Sequence, residues 1–336
     1  MRLKTSIKNT LLRIGALRLR QILRPVTAVV LAYHSVSHDR KGQAFCINPG
    51  ITTDAERFRE QMKLLRRDFR PISLDDIADW LSGKRSLPRR SVAVTFDDGF
   101  ADNAEVAAPI MDEFGIFGAF YLTVDSVARG ELPWFCRMEY LFRRAEREKK
   151  ILRSADGDEW KMDAPTEYRA AYLKLAYPSA RLSGDEQRRH LENVENLFEY
   201  RFDSQAAPRM MTFEQARNLR RRGHIVGNHT FSHGNMAHVA PDALHREIVG
   251  ADEILSKELG EKVEHFSYPH PCLQPQWNEA SLALTEELGY RTVVLTQNGC
   301  VTPKTSPLLI PRLCLSDPDL DAFRWKLETA LAGIET

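Results

Sequence analysis

The chain has 336 residues, 43% hydrophobic and 28% charged, a globular composition with no low-complexity tract. Its formal charge of +1, from 47 basic and 46 acidic residues, argues against a nucleic-acid binder that neutralises phosphates along one face. Cys46, Cys136, Cys272, Cys300 and Cys314 are odd in number and never form a CxxC pair, so a reducing compartment fits better than a disulfide framework or a zinc knuckle.

In chain order, the first 25 residues place Leu3, Ile7, Leu11, Ile14 and Leu17 at helical spacing, with Lys4, Lys8, Arg13, Arg20 and Arg24 between or beyond them. The arginines break any secretory apolar core. Residues 1–25 therefore read as a basic amphipathic segment, either packed on the domain surface or lying on an anionic membrane. The expected location is cytoplasmic, with peripheral contact at the inner face of the membrane through this segment. The remainder, 26–336, reads as one domain.

AVVLAYHSV (28–36) is the first predicted strand, followed by helices ERFREQMKLLRRDF and SLDDIADWLSG, the second capped by Ser73. SVAVTF is the next strand, DNAEVAAPIMDEFG a helix ended by Gly115, and GAFYLTV a third strand. From about 130 to 208 aromatic and charged residues interrupt this rhythm and read as a helical insertion on a strand-to-helix loop. TFEQARNLRRRG (helix), HIVGN (strand), PDALHREIVGADEILSKELG (helix), HFSYP (strand), WNEASLALTEELG (helix), RTVVLT and LLIPRLCL (strands) and a closing helix DPDLDAFRWKLETALAG complete the series. Strands alternating with amphipathic helices predict an α/β fold with a parallel sheet, and about seven strands favour a (β/α) barrel.

SVAVTFDDGF (91–100) ends a strand on two adjacent carboxylates. Successive strand side chains point to opposite faces, so Asp97 and Asp98 can share a site only if the chain turns there, which Gly99 allows. Taken alone, Asp-Asp-Gly also reads as a turn or a helix start. NHTFSH (228–233) supplies two histidines four residues apart; in a helix His229 and His233 would share one face and suit one metal ion, and in a loop they could simply hydrogen-bond. No glutamate stands between them as in HExxH, so a base must come from elsewhere, and the aspartate pair can supply it.

TFDDG and NHTFSH together resemble the polysaccharide deacetylases with a NodB homology domain, carbohydrate esterase family 4. The resemblance runs from YHSV at Tyr33 to IPRL at Leu313. It implies a distorted (β/α) barrel with seven parallel strands, Asp97 as catalytic base, and Asp98, His229 and His233 as ligands of a divalent metal, Zn2+ being expected. The implied reaction hydrolyses an N-acetyl group on a hexosamine: the metal polarises the acetyl carbonyl and acidifies water while Asp97 removes a proton. The substrate would be a glycan or a lipid-linked glycan precursor.

Departures from the family pattern leave the proton donor open. LLIPRLCLSD (308–317) lacks the usual late histidine and offers Arg312, a poor acid but a candidate oxyanion contact. FSYPHP (266–271) has Ser267 where an arginine is often found, His270 where an aromatic is usual and Pro271 where glycine is common. His270 is the candidate acid, and Tyr268 is expected beside the metal as an oxyanion contact. His34 ends the first strand and should face the same end of the barrel. Trp134, Phe135, Trp80 and Trp277 are candidates for stacking on sugar rings. Two other readings remain: an amidohydrolase of the same fold acting on another small amide, and a non-catalytic glycan-binding protein.

Overall fold

Seven short runs of buried residues form the strands of one parallel sheet: β1 (Ala28–Tyr33), β2 (Ser91–Phe96), β3 (Gly118–Leu122), β4 (Ile225–Asn228), β5 (His265–Ser267), β6 (Thr292–Val294) and β7 (Leu313–Cys314). The structure, a computed structural model, describes residues 16–39, 47–200, 208–270 and 273–334. The strand order is β6-β5-β4-β3-β2-β1-β7, and the two-residue strand Arg70–Pro71 also pairs with β2. Ile310 bridges Val294 of β6, and Leu313 and Cys314 pair with β1, so one short segment reaches both ends of the sheet. The sheet thereby curls into a distorted (β/α) barrel with seven strands along its path.

Period-2 alternation sorts each strand's side chains into two layers. Val92, Val94 and Phe96 of β2 pack with Val29, Leu31 and Phe120 in the main hydrophobic core. Ala93, Ala119, Tyr121 and Val294 join a second cluster with Leu74 and Ile77. Thr95 and Asp97 have the same parity as Ala93, which carries the interior side of β2 up to its C-terminal end.

The labelled helices are α1 (Ala16–Ile22), α2 (Ala55–Asp68), α3 (Leu74–Leu81), α4 (Ala108–Glu113), α5 (Trp134–Arg147), α6 (Pro165–Leu175), α7 (Gly184–Phe198), α8 (Phe213–Arg221), α9 (Ala251–Leu259), α10 (Glu279–Glu287) and α11 (Leu320–Leu331), with the short helices Val124–Arg129 and Pro241–His245 and single turns between. Ser73, Thr212 and Asn278 close capping boxes on α3, α8 and α10, satisfying first-turn N–H groups that would otherwise be orphaned.

Helices α5, α6 and α7 follow β3 and share their own apolar cluster around Phe142, Trp160, Leu191 and Phe198. This part of the chain is not wholly helical: Ile151–Arg153 and Glu159–Lys161 pair as an antiparallel hairpin with Leu152 and Trp160 inward. The strand expected over LLIPRLCL shrinks to Leu313–Cys314, since Pro311 within it has no N–H to give a ladder. Of the N-terminal segment, residues 1–15 lie outside the described residues, as do Cys46, Pro271 and Cys272. Among the described residues Cys300 and Cys314 are free thiols, and no helix is long and apolar enough to cross a membrane.

Candidate metal centre

Asp97 leaves β2 in extended register, its N–H donating to the Tyr33 carbonyl at 3.0 Å. The chain then turns at once: Asp98 has φ 75° and Gly99 φ 83°. Left-handed geometry at a non-glycine residue is strained. Here it brings the second carboxylate to the same cavity as the first, so Asp98 itself makes the turn that Gly99 alone was expected to make.

The two acids have different surroundings. Asp97 is gripped end-on by Arg312, with Nη1 to Oδ1 at 2.8 Å and Nη2 to Oδ2 at 2.6 Å, and the Ser267 hydroxyl donates to Oδ1 at 3.3 Å. Burial pushes the Asp97 carboxyl up, but the guanidinium charge and its hydrogen bonds outweigh that and hold it below the usual carboxylate range. Asp98 is equally buried, yet neither of its oxygens has a hydrogen-bond partner. Its Oδ1 instead faces Nε2 of His229 at 3.5 Å and Nε2 of His233 at 3.3 Å. Burial again acts upward on Asp98, and the two imidazoles more than reverse it.

The histidine tautomer decides what these contacts mean. His229 Nδ1 lies 2.7 Å from the Ser267 carbonyl, an acceptor only, so Nδ1 carries a proton, and in the neutral ring that can ligate a metal the Nε2 lone pair points at Asp98. A lone pair facing a buried carboxylate oxygen is repulsive unless positive charge sits between them. One ligand atom each from Asp98, His229 and His233 lies within 4.8 Å of the others. One carboxylate and two imidazoles are a donor set for a tetrahedral divalent cation with an open position, so the residues present fit the metal. Burial holds the His233 ring below its ordinary value; for His229 burial acts the same way but the Asp97 and Asp98 charges prevail and raise it.

His229 and His233 do not share a helix face. They sit on a loop with left-handed geometry at Thr230 (φ 67°) and His233 (φ 58°), and the Thr230 hydroxyl accepts from the His233 N–H at 3.1 Å. The inserted helices hold that loop from outside. Trp134 Nε1 donates to the His233 carbonyl at 3.1 Å, and the Asn235 N–H to the Ala180 carbonyl at 2.8 Å. Glu247, fully buried, accepts from the Ser232 N–H at 2.9 Å and from the hydroxyls of Ser183 and Ser232, tying the insertion to the residue beside His233.

These groups line a cavity of about 790 Å³ at the C-terminal ends of the strands. Its floor is Asp97, Asp98, His229 and His233, and His34 and His270 are on its wall. Gln274 Nε2 donates to His270 Nε2 at 2.7 Å, which puts the His270 proton on Nδ1; burial, then the neighbouring His233, hold this ring below its usual value. Trp134, Phe135, Tyr172 and Tyr177 of the insertion face the cavity, as does Trp277.

Three expected contacts fall elsewhere. Arg312 is fully buried and absent from the cavity wall: besides Asp97 it donates to the Leu295 carbonyl at 2.8 Å and to Thr95 Oγ1 at 3.1 Å, so it stands behind the base and not beside a substrate. Tyr268 shares the parity of Phe266 and packs on it at 4.9 Å in the outer core, while Ser267 takes the interior side. Trp80 belongs to α3 and packs with the cluster of Leu74 and Ile77, away from the cavity. The Arg312 grip on Asp97 had a sequence signal: a serine stands at 267 where an arginine is often found, and an arginine arrives at 312. Tyr172, Tyr177 and Glu247 had none, because their roles depend on how the insertion folds back.

A family model described as "Polysaccharide deacetylase" matches residues 84–293, well over half of the chain. The chain is 31% identical over 87 residues to the poly-beta-1,6-N-acetyl-D-glucosamine N-deacetylase of Escherichia coli K12, a match covering 26% of this chain and 12% of that protein. An uncharacterized 30.6 kDa protein of Geobacillus stearothermophilus is 30% identical over 73 residues, 22% of this chain and 26% of that one. The chain thus spans no more than about a quarter of these relatives' lengths. Among solved structures it resembles the Streptococcus pyogenes deacetylase PplD in complex with acetate, with TM-score 0.59 and 16% identity over 93% of this chain and 100% of that one. IcaB from Ammonifex degensii gives TM-score 0.57 and 17% identity over 92% and 98% of the two chains. At these identities the structural likeness concerns the fold.

Proposed function

The chain belongs to the polysaccharide deacetylase family, and from that premise we propose that it is a metal-dependent carbohydrate N-deacetylase that removes acetyl groups from N-acetylhexosamine units of a glycan. The observation that carries the reading is the buried Asp98, His229 and His233 cluster, with its unpartnered carboxylate, directly beside an aspartate locked by Arg312.

Asp98, His229 and His233 would hold the cation, and zinc suits one carboxylate with two neutral imidazoles. When bound, such a cation supplies Lewis acidity, drawing electron density from an amide carbonyl and acidifying water. Asp97 is the general base. Its depressed pKa keeps it ionised at neutral pH, and Arg312, itself held by Thr95, and Ser267 fix the carboxylate so that no reorganisation is needed as the proton arrives. Expelling the sugar amine requires a proton on the leaving nitrogen, and we assign that donation to His270 on the wall of the same cavity. Trp134, Phe135, Tyr172, Tyr177 and Trp277 offer apolar faces for sugar rings. Among the described lining residues there is no lysine or arginine, and the carboxylates are Asp97, Asp98 and Glu139. That lining favours an uncharged glycan over a phosphate-linked precursor.

The test is acetate release from a size ladder of N-acetylglucosamine oligomers, with and without a chelator. Release that stops on chelation and returns with zinc is the expected result. Release unaffected by removing metal, or none from any oligomer, would overturn the assignment.

A further inference from the structure

At the other end of the barrel, α1 turns its apolar side outward. Leu17 and Gln21 are buried, and Gln21 Nε2 donates to Glu328 Oε2 of α11 at 2.8 Å. Leu19, Ile22 and Leu23 are 60%, 60% and 78% exposed on the opposite side, at i, i+3 and i+4. Ile334, 38% exposed, extends the patch. It follows Ala332, whose carbonyl accepts from Arg20 Nε at 2.9 Å, and Gly333, against which the Arg24 guanidinium lies. These four are a large share of the exposed large hydrophobics among the described residues, and they are gathered in one place. Exposed Arg18, Arg20 and Arg24 interleave with them.

The charge of this region is one-sided. Residues 16–25 hold three basic and no acidic side chains in a chain whose formal charge is +1, so the rest is net negative. A leucine-rich face rimmed by arginines matches an anionic lipid surface, which takes the apolar side chains below its headgroups and pairs with the guanidinium groups. A membrane of neutral lipid answers only half of that chemistry, and a second copy of the chain, with formal charge +1, brings no excess of negative charge to the guanidinium groups.

We propose that α1 and the C-terminal turn at Ala332–Ile334 form a docking surface for an anionic phospholipid membrane. The surface fixes an orientation. Arg89, two residues before β2 begins, donates to the carbonyls of Gln21 and Arg24, which places α1 at the N-terminal ends of the strands. Asp97 and Asp98 follow the C-terminal end of β2, about 20 Å further on at ~3.3 Å per residue. A docked molecule therefore opens its cavity away from the bilayer.

The test is flotation of the full chain with vesicles of phosphatidylglycerol and phosphatidylcholine in equal parts, beside vesicles of phosphatidylcholine alone. The proposal expects binding to the anionic vesicles only, weakened by high salt and reduced at least tenfold in the Leu19→Gln, Ile22→Gln, Leu23→Gln triple variant. These side chains are exposed, and an unchanged melting temperature would show that the variant folds. No binding to either vesicle would overturn the proposal, as would equal binding by the triple variant. So would a wild-type dimer in solution that the triple variant loses, since the patch would then serve a second copy.

Discussion

At Asp97 two guanidinium nitrogens occupy both carboxylate oxygens, while at Asp98, one residue on, both oxygens are buried without a hydrogen bond. The division follows from alternation and a turn: Asp97 continues the interior side of β2, and positive φ at Asp98 swings its side chain toward the histidine loop. TFDDG and NHTFSH were legible as chemistry because the residue types are few and close in sequence. Arg312 left only an indirect signal, the serine at 267 where an arginine is often found, because 215 residues separate it from Asp97 and only the curl of the sheet brings β7 back beside β1.

The tether makes a pH prediction. Asp97 has a folded pKa below its unfolded value of about 3.9, so its contribution to stability is full above that value and is lost as pH falls through the folded one. Arg312→Met leaves the carboxylate buried and unpaired, destabilising the fold at neutral pH by about 3–5 kcal/mol. Burial then raises the Asp97 pKa, so protonation relieves the variant above pH 4, where the wild type still holds Asp97 ionised and keeps its full contribution. Thermal melts from pH 7 to pH 4 should show the gap in Tm between the two narrowing; a constant gap would mean that Arg312 acts through packing alone. For the proton donor, His270→Ala should lower kcat on the order of a hundredfold with KM little changed. A parallel His34→Ala variant serves as the comparison, and a larger kcat loss at His34 would move the donor there.

Among the elements, the histidine loop is shaped by the inserted helices more than by its own sequence. A spacing of four left helix and loop both open; positive φ at Thr230 and His233 makes it a loop, and Trp134, Ala180 and Glu247 hold the result. Local pattern carries no trace of such partners, which is why the helices and strands were legible while the loop geometry was not. Glu247→Ala strands the Ser232 N–H and two hydroxyls, and should weaken zinc binding roughly 10- to 100-fold, as loss of an outer support typically does. Competition with a chelating dye reads this directly. Glu247→Gln, which keeps one acceptor for the Ser232 N–H, should recover much of the affinity; if it fails as badly as alanine, the negative charge matters and not the hydrogen bonds.

For the molecule as a whole, a rhythm of strand and helix predicted the barrel, and seven strands along the sheet match it. Continuous apolar runs carry that much because each strand must bury both faces. The upper wall of the cavity was less legible: Tyr172 and Tyr177 arrive from an insertion whose packing depends on its own apolar cluster. If those rings and Trp277 bind sugars, Trp277→Ala should raise KM for long oligomers roughly tenfold, about 1.4 kcal/mol, and affect short ones less. Steady-state kinetics across the oligomer ladder would show it, and an equal effect at every length would place Trp277 at the reacting unit.

The most direct measurement compares wild type with Asp97→Asn in one experiment, recording bound zinc and acetate release from an N-acetylglucosamine oligomer. Asparagine preserves the shape of the side chain and leaves Asp98, His229 and His233 untouched. The account predicts equal zinc content with acetate release lowered on the order of a hundredfold or more. Full activity in the variant, or loss of zinc along with it, would contradict the separation of base from metal ligands on which the mechanism rests.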